Sequence, residues 1–225
     1  PTPPPFNPFA TTRVDDPDGV DGQPLPVDHR CNDDDRLALL NIYYYTRGDT
    51  WRNQTGWINP NSDCCDWYGV TCDKAKLYRV TRVRLRSNKL RGVLREEAFE
   101  TLKELQEVDM CQNSIVGSLP ASLATRMQLE RITMCDNGLK SAFPVRLLQL
   151  PRLTHLDLRN NLITGTLPTS EQIWRLVQLE TLILSFNRLE GPIPIDLGLV
   201  ATLKHLDLGL NLFTNEIPPE LGKLT

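Results

Sequence analysis

From Val80 to Thr225 a pattern of about two dozen residues returns six times, and few folds can accommodate such a sequence. Each copy carries an asparagine in the same register, at Asn88, Asn113, Asn137, Asn161, Asn187 and Asn211. Apolar residues keep fixed offsets around it, as in Leu153, Leu156, Leu158, Asn161 and Ile163, and again in Leu179, Leu182, Leu184, Asn187 and Leu189. One copy cannot bury its own leucines, so neighbouring copies must stack into a solenoid around a continuous core.

Within a copy, Leu156-Asp157-Leu158 and Leu206-Asp207-Leu208 alternate apolar and polar residues, which predicts a short strand. The asparagine suits the turn that follows, because its amide can bond backbone groups that the turn leaves unpaired. Stacked asparagines should therefore form a ladder. A second signature follows as Gly117-Ser118-Leu119-Pro120, Gly165-Thr166-Leu167-Pro168 and Gly191-Pro192-Ile193-Pro194, with glycine replaced in Ser141-Ala142-Phe143-Pro144 and Asn215-Glu216-Ile217-Pro218. Glycine permits a bend there and proline ends regular pairing. Strands set about 4.8 Å apart would give a curved ladder with a concave strand face.

These residues resemble the plant-type leucine-rich repeat, LxxLxLxxNxLxGxIP, over roughly two thirds of the chain. The resemblance implies an α/β solenoid: a right-handed superhelix with a parallel concave β-sheet and a helical, disulfide-bonded N-terminal cap. The expected units are a Pro-rich acidic linker at 1–30, the cap at 31–79 and six repeats at 80–225, continuing beyond Leu221-Gly222-Lys223-Leu224-Thr225 because no C-terminal cap is visible. The cap begins with Asp33, Asp34 and Asp35 ahead of Leu37, Leu39, Leu40, Ile42 and Tyr43, which reads as a helix covering the open end of the core. Trp51, Trp57 and Trp67 follow, with packing on the first repeat as the expectation and a sugar-binding surface as the alternative. Cys64-Cys65-Asp66-Trp67-Tyr68-Gly69-Val70-Thr71-Cys72-Asp73 resembles the family's cap motif CCxWxGVxCD. Sequence alone allows three connectivities for four cysteines. The resemblance implies Cys31 with Cys64 and Cys65 with Cys72. The wording from Tyr43 to Trp51 resembles the surface leucine-rich-repeat proteins of diatoms and related algae.

Cys111 and Cys135 fall at the same position of consecutive repeats, so their α-carbons should lie about 5 Å apart on adjacent strands. A lateral disulfide and two free thiols on the concave face both fit that placement. Paired cysteines suit an oxidising compartment. Asn53-Gln54-Thr55 is a glycosylation sequon in a polar loop of the cap, consistent with a secretory route and an extracellular or cell-surface location. The chain starts at Pro1 without methionine or signal peptide, which reads as a mature or partial polypeptide. No apolar run is long enough to span a bilayer, so membrane attachment would come only through other segments. Asp15, Asp16, Asp18 and Asp21 suggest calcium at first sight, but Val20 sits where an EF-hand loop needs a ligand and no glutamate follows. A segment so rich in proline orders by lying on something, the solenoid or a neighbouring molecule.

Histidines are three, His29, His155 and His205, and none joins a serine, cysteine or carboxylate in a nucleophile motif. His155-Leu156-Asp157 and His205-Leu206-Asp207 place a histidine and an aspartate on one strand face, but about 10 Å apart laterally, so one metal could not take both pairs. Neither enzyme chemistry nor a cofactor is expected. The alternation writes the concave face as columns. The first is Arg82, Glu107, Arg131, His155, Thr181 and His205; the second is Arg84, Asp109, Thr133, Asp157, Ile183 and Asp207; the third is Arg86, Cys111, Cys135, Arg159, Ser185 and Gly209. Arg82, Arg84 and Arg86 make a basic strip suited to an acidic partner or an anionic glycan, or to cross-strand pairing. A net charge of −3 argues against nucleic acid. Toward the other end Ile183, Phe186 and Leu210, with Leu162 and Leu212, lie outside the core pattern and suggest a contact site.

The reading is a non-catalytic recognition module for a protein or peptide, with Arg82, Arg84, Arg86, Asp109, Arg131, His155, Asp157, Arg159, Ile183, Phe186, His205, Asp207 and Leu210 as candidate contacts. Two alternatives remain. One is a surface or matrix protein that assembles with its own copies or with glycans; the other, by resemblance to polygalacturonase-inhibiting proteins, is an inhibitor of cell-wall hydrolases.

Overall fold

The computed structural model describes residues 31–168, 170–173 and 178–224. The expectations attached to segment 1–30 lie outside the described residues. Strand β1 (Val70–Asp73) pairs antiparallel with β2 (Arg79–Arg84). Thereafter β3 (Glu107–Asp109), β4 (Arg131–Thr133), β5 (His155–Asp157), β6 (Thr181–Ile183) and β7 (His205–Asp207) follow in chain order, each parallel to the last. Their register matches the expected columns: Arg82, Glu107, Arg131, His155, Thr181 and His205 lie side by side, as do Arg84, Asp109, Thr133, Asp157, Ile183 and Asp207. The alternate residues Val83, Val108, Ile132, Leu156 and Leu182 turn inward and are buried.

The asparagines carry the stacking. Asn161 Oδ1 accepts the Leu139 N–H of the preceding repeat at 3.0 Å, and its amide nitrogen donates to Met134 O and Leu158 O, each at 3.0 Å. Asn113, Asn137, Asn187 and Asn211 repeat the arrangement, each joining a carbonyl of its own turn to one of the turn before. Every such amide satisfies donors and acceptors that would otherwise be orphaned beside a buried core. At the first turn the ladder crosses into the cap, where Asn88 Oδ1 accepts from Asn53 N and Asn88 Nδ2 donates to Asn53 O, at 2.7 and 2.9 Å.

Beyond the turn the structure departs from expectation. The glycine signature does not simply end the pairing. Arg91–Val93, Ser114–Gly117 and Gly138–Leu139 form one parallel flank sheet, and Thr164–Thr166, Arg188–Pro192 and Leu212–Thr214 form another. Gly191 shows why its position needs glycine: φ is +77°, and a Cβ would sit 2.9 Å from Thr166 Cγ2. Where Ser141 stands in place of glycine the flank is interrupted, and the break is spanned by the isolated Ala142–Thr164 bridge and by the bond from Leu162 N to Leu139 O at 2.8 Å. Asn215 replaces glycine and adopts the left-handed conformation, with φ of +66°. Short 3-10 turns such as Ala121–Thr125, Val145–Gln149 and Ile195–Leu199 close the convex side and bury Leu123, Leu147 and Leu197.

The cap helix α1 (Asp33–Tyr45) starts at Asn32, whose side chain accepts from the N–H groups of Asp34 and Asp35. Asp33 and Asp34 remain at the surface beside the positive helix end, but Asp35 is fully buried. It accepts from Arg79 Nε and Nη2 at 2.8 and 2.6 Å and from Val80 N at 2.8 Å, clamping the helix to the first repeat. The cap tryptophans Trp51, Trp57 and Trp67 are all buried, with Trp57 4.9 Å from Trp51 and 5.0 Å from Trp67 between ring centroids. Their N–H groups are spent on Thr46 O, Tyr68 O and Ser62 Oγ, so packing holds and the sugar-binding alternative is overturned. Disulfides join Cys31 to Cys64, Cys65 to Cys72, and Cys111 to Cys135, with Cα–Cα distances of 5.6, 5.4 and 4.5 Å. Cys111 and Cys135 are fully buried, which replaces the alternative of free thiols on the concave face.

Asn161→Ala should cost about 1–3 kcal/mol in urea unfolding, because it orphans the Leu139 N–H and removes one of the two ladder amides that donate to each of Met134 O and Leu158 O. A cost below about 1 kcal/mol would mean that water or backbone shifts replace the amide. Native alkylation without reductant should label none of the six cysteines. Labelling at Cys31, Cys64, Cys65 or Cys72 would contradict the bonded cap.

Candidate ligand-binding face

At its cap end the concave face is electrostatically closed. Arg84 makes a two-pronged contact with Glu107 at 2.8 and 2.7 Å, Arg86 Nε lies 2.9 Å from Asp109 Oδ2, and Arg82 is 3.8 Å from Glu107. The hydrogen bonds from Arg84 hold the Glu107 carboxyl below the usual glutamate range, against the opposing effect of its partial burial. The basic strip expected at this edge is therefore largely neutralised from within.

The aspartates of the second column serve the backbone. Asp109, Asp157 and Asp207 each use Oδ1 to accept the N–H two residues on, from Cys111, Arg159 and Gly209, all at 3.1 Å. Each carboxylate closes its strand into the turn that presents the ladder asparagine. Asp207 also accepts from Ser185 Oγ at 2.6 Å. The spacing Asp109-Met110-Cys111, Asp157-Leu158-Arg159, Asp207-Leu208-Gly209 carried this signal in the sequence.

In the middle of the face, His155 is half-buried and Asp157 buried. Burial lowers the His155 pKa from 6.5 to about 4, helped by the positive charge of Arg131 and by His205 and Arg159. Burial raises that of Asp157, opposed by the Arg159 N–H and guanidinium, whose Nε lies 3.7 Å away. His155 and His205 are separated by Thr181 in the register. The Sγ atoms of Cys111 and Cys135 lie close to a carboxylate oxygen of Asp157, but the disulfide has used the sulfurs as ligands.

Toward β6 and β7 the face becomes apolar and accessible. Ile183 is half-buried, while Phe186 and Leu210 are 55% and 67% exposed; Leu212, on the adjoining flank sheet, is 60% exposed. Phe186 and Leu210 continue a column of Ser87, Gln112, Asp136 and Asn160, in which every residue precedes a ladder asparagine and has positive φ. That backbone is uncommon for a non-glycine residue. The column changes from polar to apolar along the solenoid, and Arg131 and His205 are exposed beside it. Sequence reasoning missed the Asp35–Arg79 clamp, since nothing in the pattern separates Asp35 from the two surface aspartates before it.

Leucine rich repeat family profiles match residues 127–189 and 202–224, and the leucine rich repeat N-terminal domain profile matches residues 32–73. Together they cover more than half of the chain and meet the observed ladder and cap. This chain is a leucine-rich-repeat solenoid. Its repeats and cap are similar to those of plant receptor proteins. Phytosulfokine receptor 1 of Arabidopsis thaliana is 34% identical over 143 residues, which is 63% of this chain and 11% of that protein. Among solved structures, the PEPR1–AtPEP1 complex superposes with a TM-score of 0.73 at 31% identity, over 85% of this chain and 27% of the other. The ectodomain of the Arabidopsis receptor kinase HAESA, in complex with a peptide hormone ligand, gives a TM-score of 0.67 at 31% identity, over 84% and 32%. This leucine-rich-repeat chain thus spans about a tenth of the curated receptor's length, and a quarter to a third of the two ectodomains.

The depressed His155 pKa predicts a pH dependence. The unfolded chain takes up a proton near pH 6.5 that the folded chain accepts only near pH 4, so stability falls as pH drops through that window. The loss should be about 1 kcal/mol, reduced from the full linkage value because the ring is half in solvent. Asp157 acts in the opposite sense, since a raised carboxylate pKa favours the folded state on the acid side. Urea midpoints at pH 7 and pH 4.5 should therefore fall further for the natural chain than for His155→Gln. Parallel falls would remove His155 from the account.

Proposed function

We propose that this solenoid is an extracellular recognition module that binds a protein or peptide along its concave face, centred on the half around β5 to β7. The observation that carries this reading is Phe186. It lies in the turn after β6, a strand flanked on both sides by β5 and β7, yet the residue is 55% exposed, so its exposure does not come from following a strand at the end of the sheet. Phe186, Leu210 and Ile183 supply apolar contact area, with His155 and His205 on the strands that flank β6 and Arg131 one strand farther on as polar groups of the same face. An aromatic anchor beside adaptable polar groups suits a peptide backbone with intermittent apolar side chains. Similar ectodomains are seen with such ligands: the HAESA structure holds a peptide hormone.

The proposal has no catalytic step. Arg82, Arg84 and Arg86, paired with Glu107 and Asp109, would fix the face's shape and set its electrostatic edge. Asp109, Asp157 and Asp207 would act through the turns that they close. The secretory route rests on the disulfides, the Asn53 sequon and the kinship with plant receptors; among described residues no helix is long and apolar enough to cross a membrane. Affinity with algal surface proteins rests on the cap wording alone. Self-assembly depends on segment 1–30, glycan association would use the paired arginine strip, and hydrolase inhibition draws on the cap's kinship; none has an observation equal to Phe186.

Immobilised protein should retain a peptide or protein from the extracellular fluid of its source. Phe186→Ala with Ile183→Ala should cut that retention about tenfold or more while moving the melting temperature by less than about 4 °C. Unchanged retention would remove the apolar end from the binding face. A large loss of stability would assign both side chains to packing.

A further inference from the structure

Two basic clusters lie near the first repeat, and the structure treats them differently. On the concave side Arg82, Arg84 and Arg86 are answered by Glu107 and Asp109. On the flank, where the cap meets the first two repeats, Arg47, Lys89 and Arg91 line a cleft of about 400 Å³ together with Thr50 and Ser114. Here no comparable set of carboxylates answers them. Among the described residues Lys89 and Arg91 make no ion pair, and Arg47 has only Asp49, at 3.8 Å, with both side chains about two-thirds exposed.

The cleft is built by backbone contacts that leave its cations free. Arg91 N donates to Thr46 O at 2.9 Å, and Arg91 pairs in register with Ser114. Arg47 follows the C-cap residue Thr46 and leads into the Gly48–Thr50 turn. Lys89 follows ladder Asn88 with φ of +63°. No other residue directly after a ladder asparagine has positive φ, so this bend belongs to the first repeat alone. The end of helix α1 would oppose an anion through bare carbonyls, but several of them are engaged, Tyr44 O by the Arg47 N–H. Ile42 O accepts from the Thr46 N–H and hydroxyl, and Thr46 O accepts from Arg91 N and Trp51 Nε1. Thr50 donates its hydroxyl to Arg47 O and forms wall, whereas the Ser114 hydroxyl makes no hydrogen bond among the described residues.

We propose that this cleft binds the sulfate or phosphate group of a small ligand, independently of the concave face. Two guanidinium forks, one ammonium and one hydroxyl offer donors from several directions, which a tetrahedral oxyanion can use more fully than a planar carboxylate. Three like charges in one cleft repel one another, and an anion removes that repulsion. The cluster is local and the chain is net acidic, so it does not form the continuous track that a nucleic acid needs.

The test is an NMR titration of the Lys89 and Ser114 amides with sodium sulfate, sodium phosphate, glucose 6-sulfate and glucose 6-phosphate, at ionic strength fixed with sodium chloride. Saturable shifts are expected with at least one pair, weakened about fivefold or more in Lys89→Gln/Arg91→Gln and unchanged in the exposed control Lys103→Gln. Should the double variant misfold, Arg91→Lys, which keeps the charge but loses the fork, should bind with intermediate affinity. Tighter binding of the esters would assign the site to a sugar-borne group, and equal or tighter binding of the free ions to the inorganic oxyanion. Shifts that never saturate, or that persist undiminished in the variants, would overturn the proposal.

Discussion

A primary amide has two donors and an acceptor oxygen, and in this solenoid each ladder asparagine spends them across a seam between turns. The seam is where a strand breaks off and leaves backbone groups beside an apolar core, so something must bond them in every repeat. Asn113, Asn137, Asn161, Asn187 and Asn211 do so with carbonyl partners in their own turn and in the one before. Asn88 extends the same chemistry to Asn53, so the cap is stacked as if it were another turn. Leucine burial drives the stacking, and the ladder fixes its register.

Because the ladder and core settle the backbone, the residues between them are free to differ, and they divide the concave face. Near the cap, arginines and carboxylates cancel across neighbouring strands. Farther along, the column ahead of the asparagines changes from Ser87 and Gln112 to Phe186 and Leu210 without changing its left-handed backbone. The same scaffold position thus presents a polar group at one end and an aromatic anchor at the other. Exposed cross-strand ion pairs add little stability.

The repeat period made the fold legible, because apolar offsets and a fixed asparagine leave little else to build. Column membership followed from strand alternation, and the register bears out the first and second columns. The roles within the columns were harder to read. Asp109, Asp157 and Asp207 looked like surface charges, but each bonds the backbone two residues on, a choice made by local turn geometry. Asp35 is indistinguishable by pattern from Asp33 and Asp34; only the packing of α1 against Arg79 buries it. The flank sheets were missed because glycine and proline read as breakers, whereas stacking lets their neighbours pair between turns. The cleft of Arg47, Lys89 and Arg91 joins residues from two units and has no period to betray it.

The most direct test of the recognition account is hydroxyl-radical footprinting of the protein from its source, free and with the partner it retains. The account predicts protection of Phe186, Leu210 and His155 with little change on the convex 3-10 turns. Protection confined to the convex side or the cap, with Phe186 as reactive as in the free chain, would contradict it.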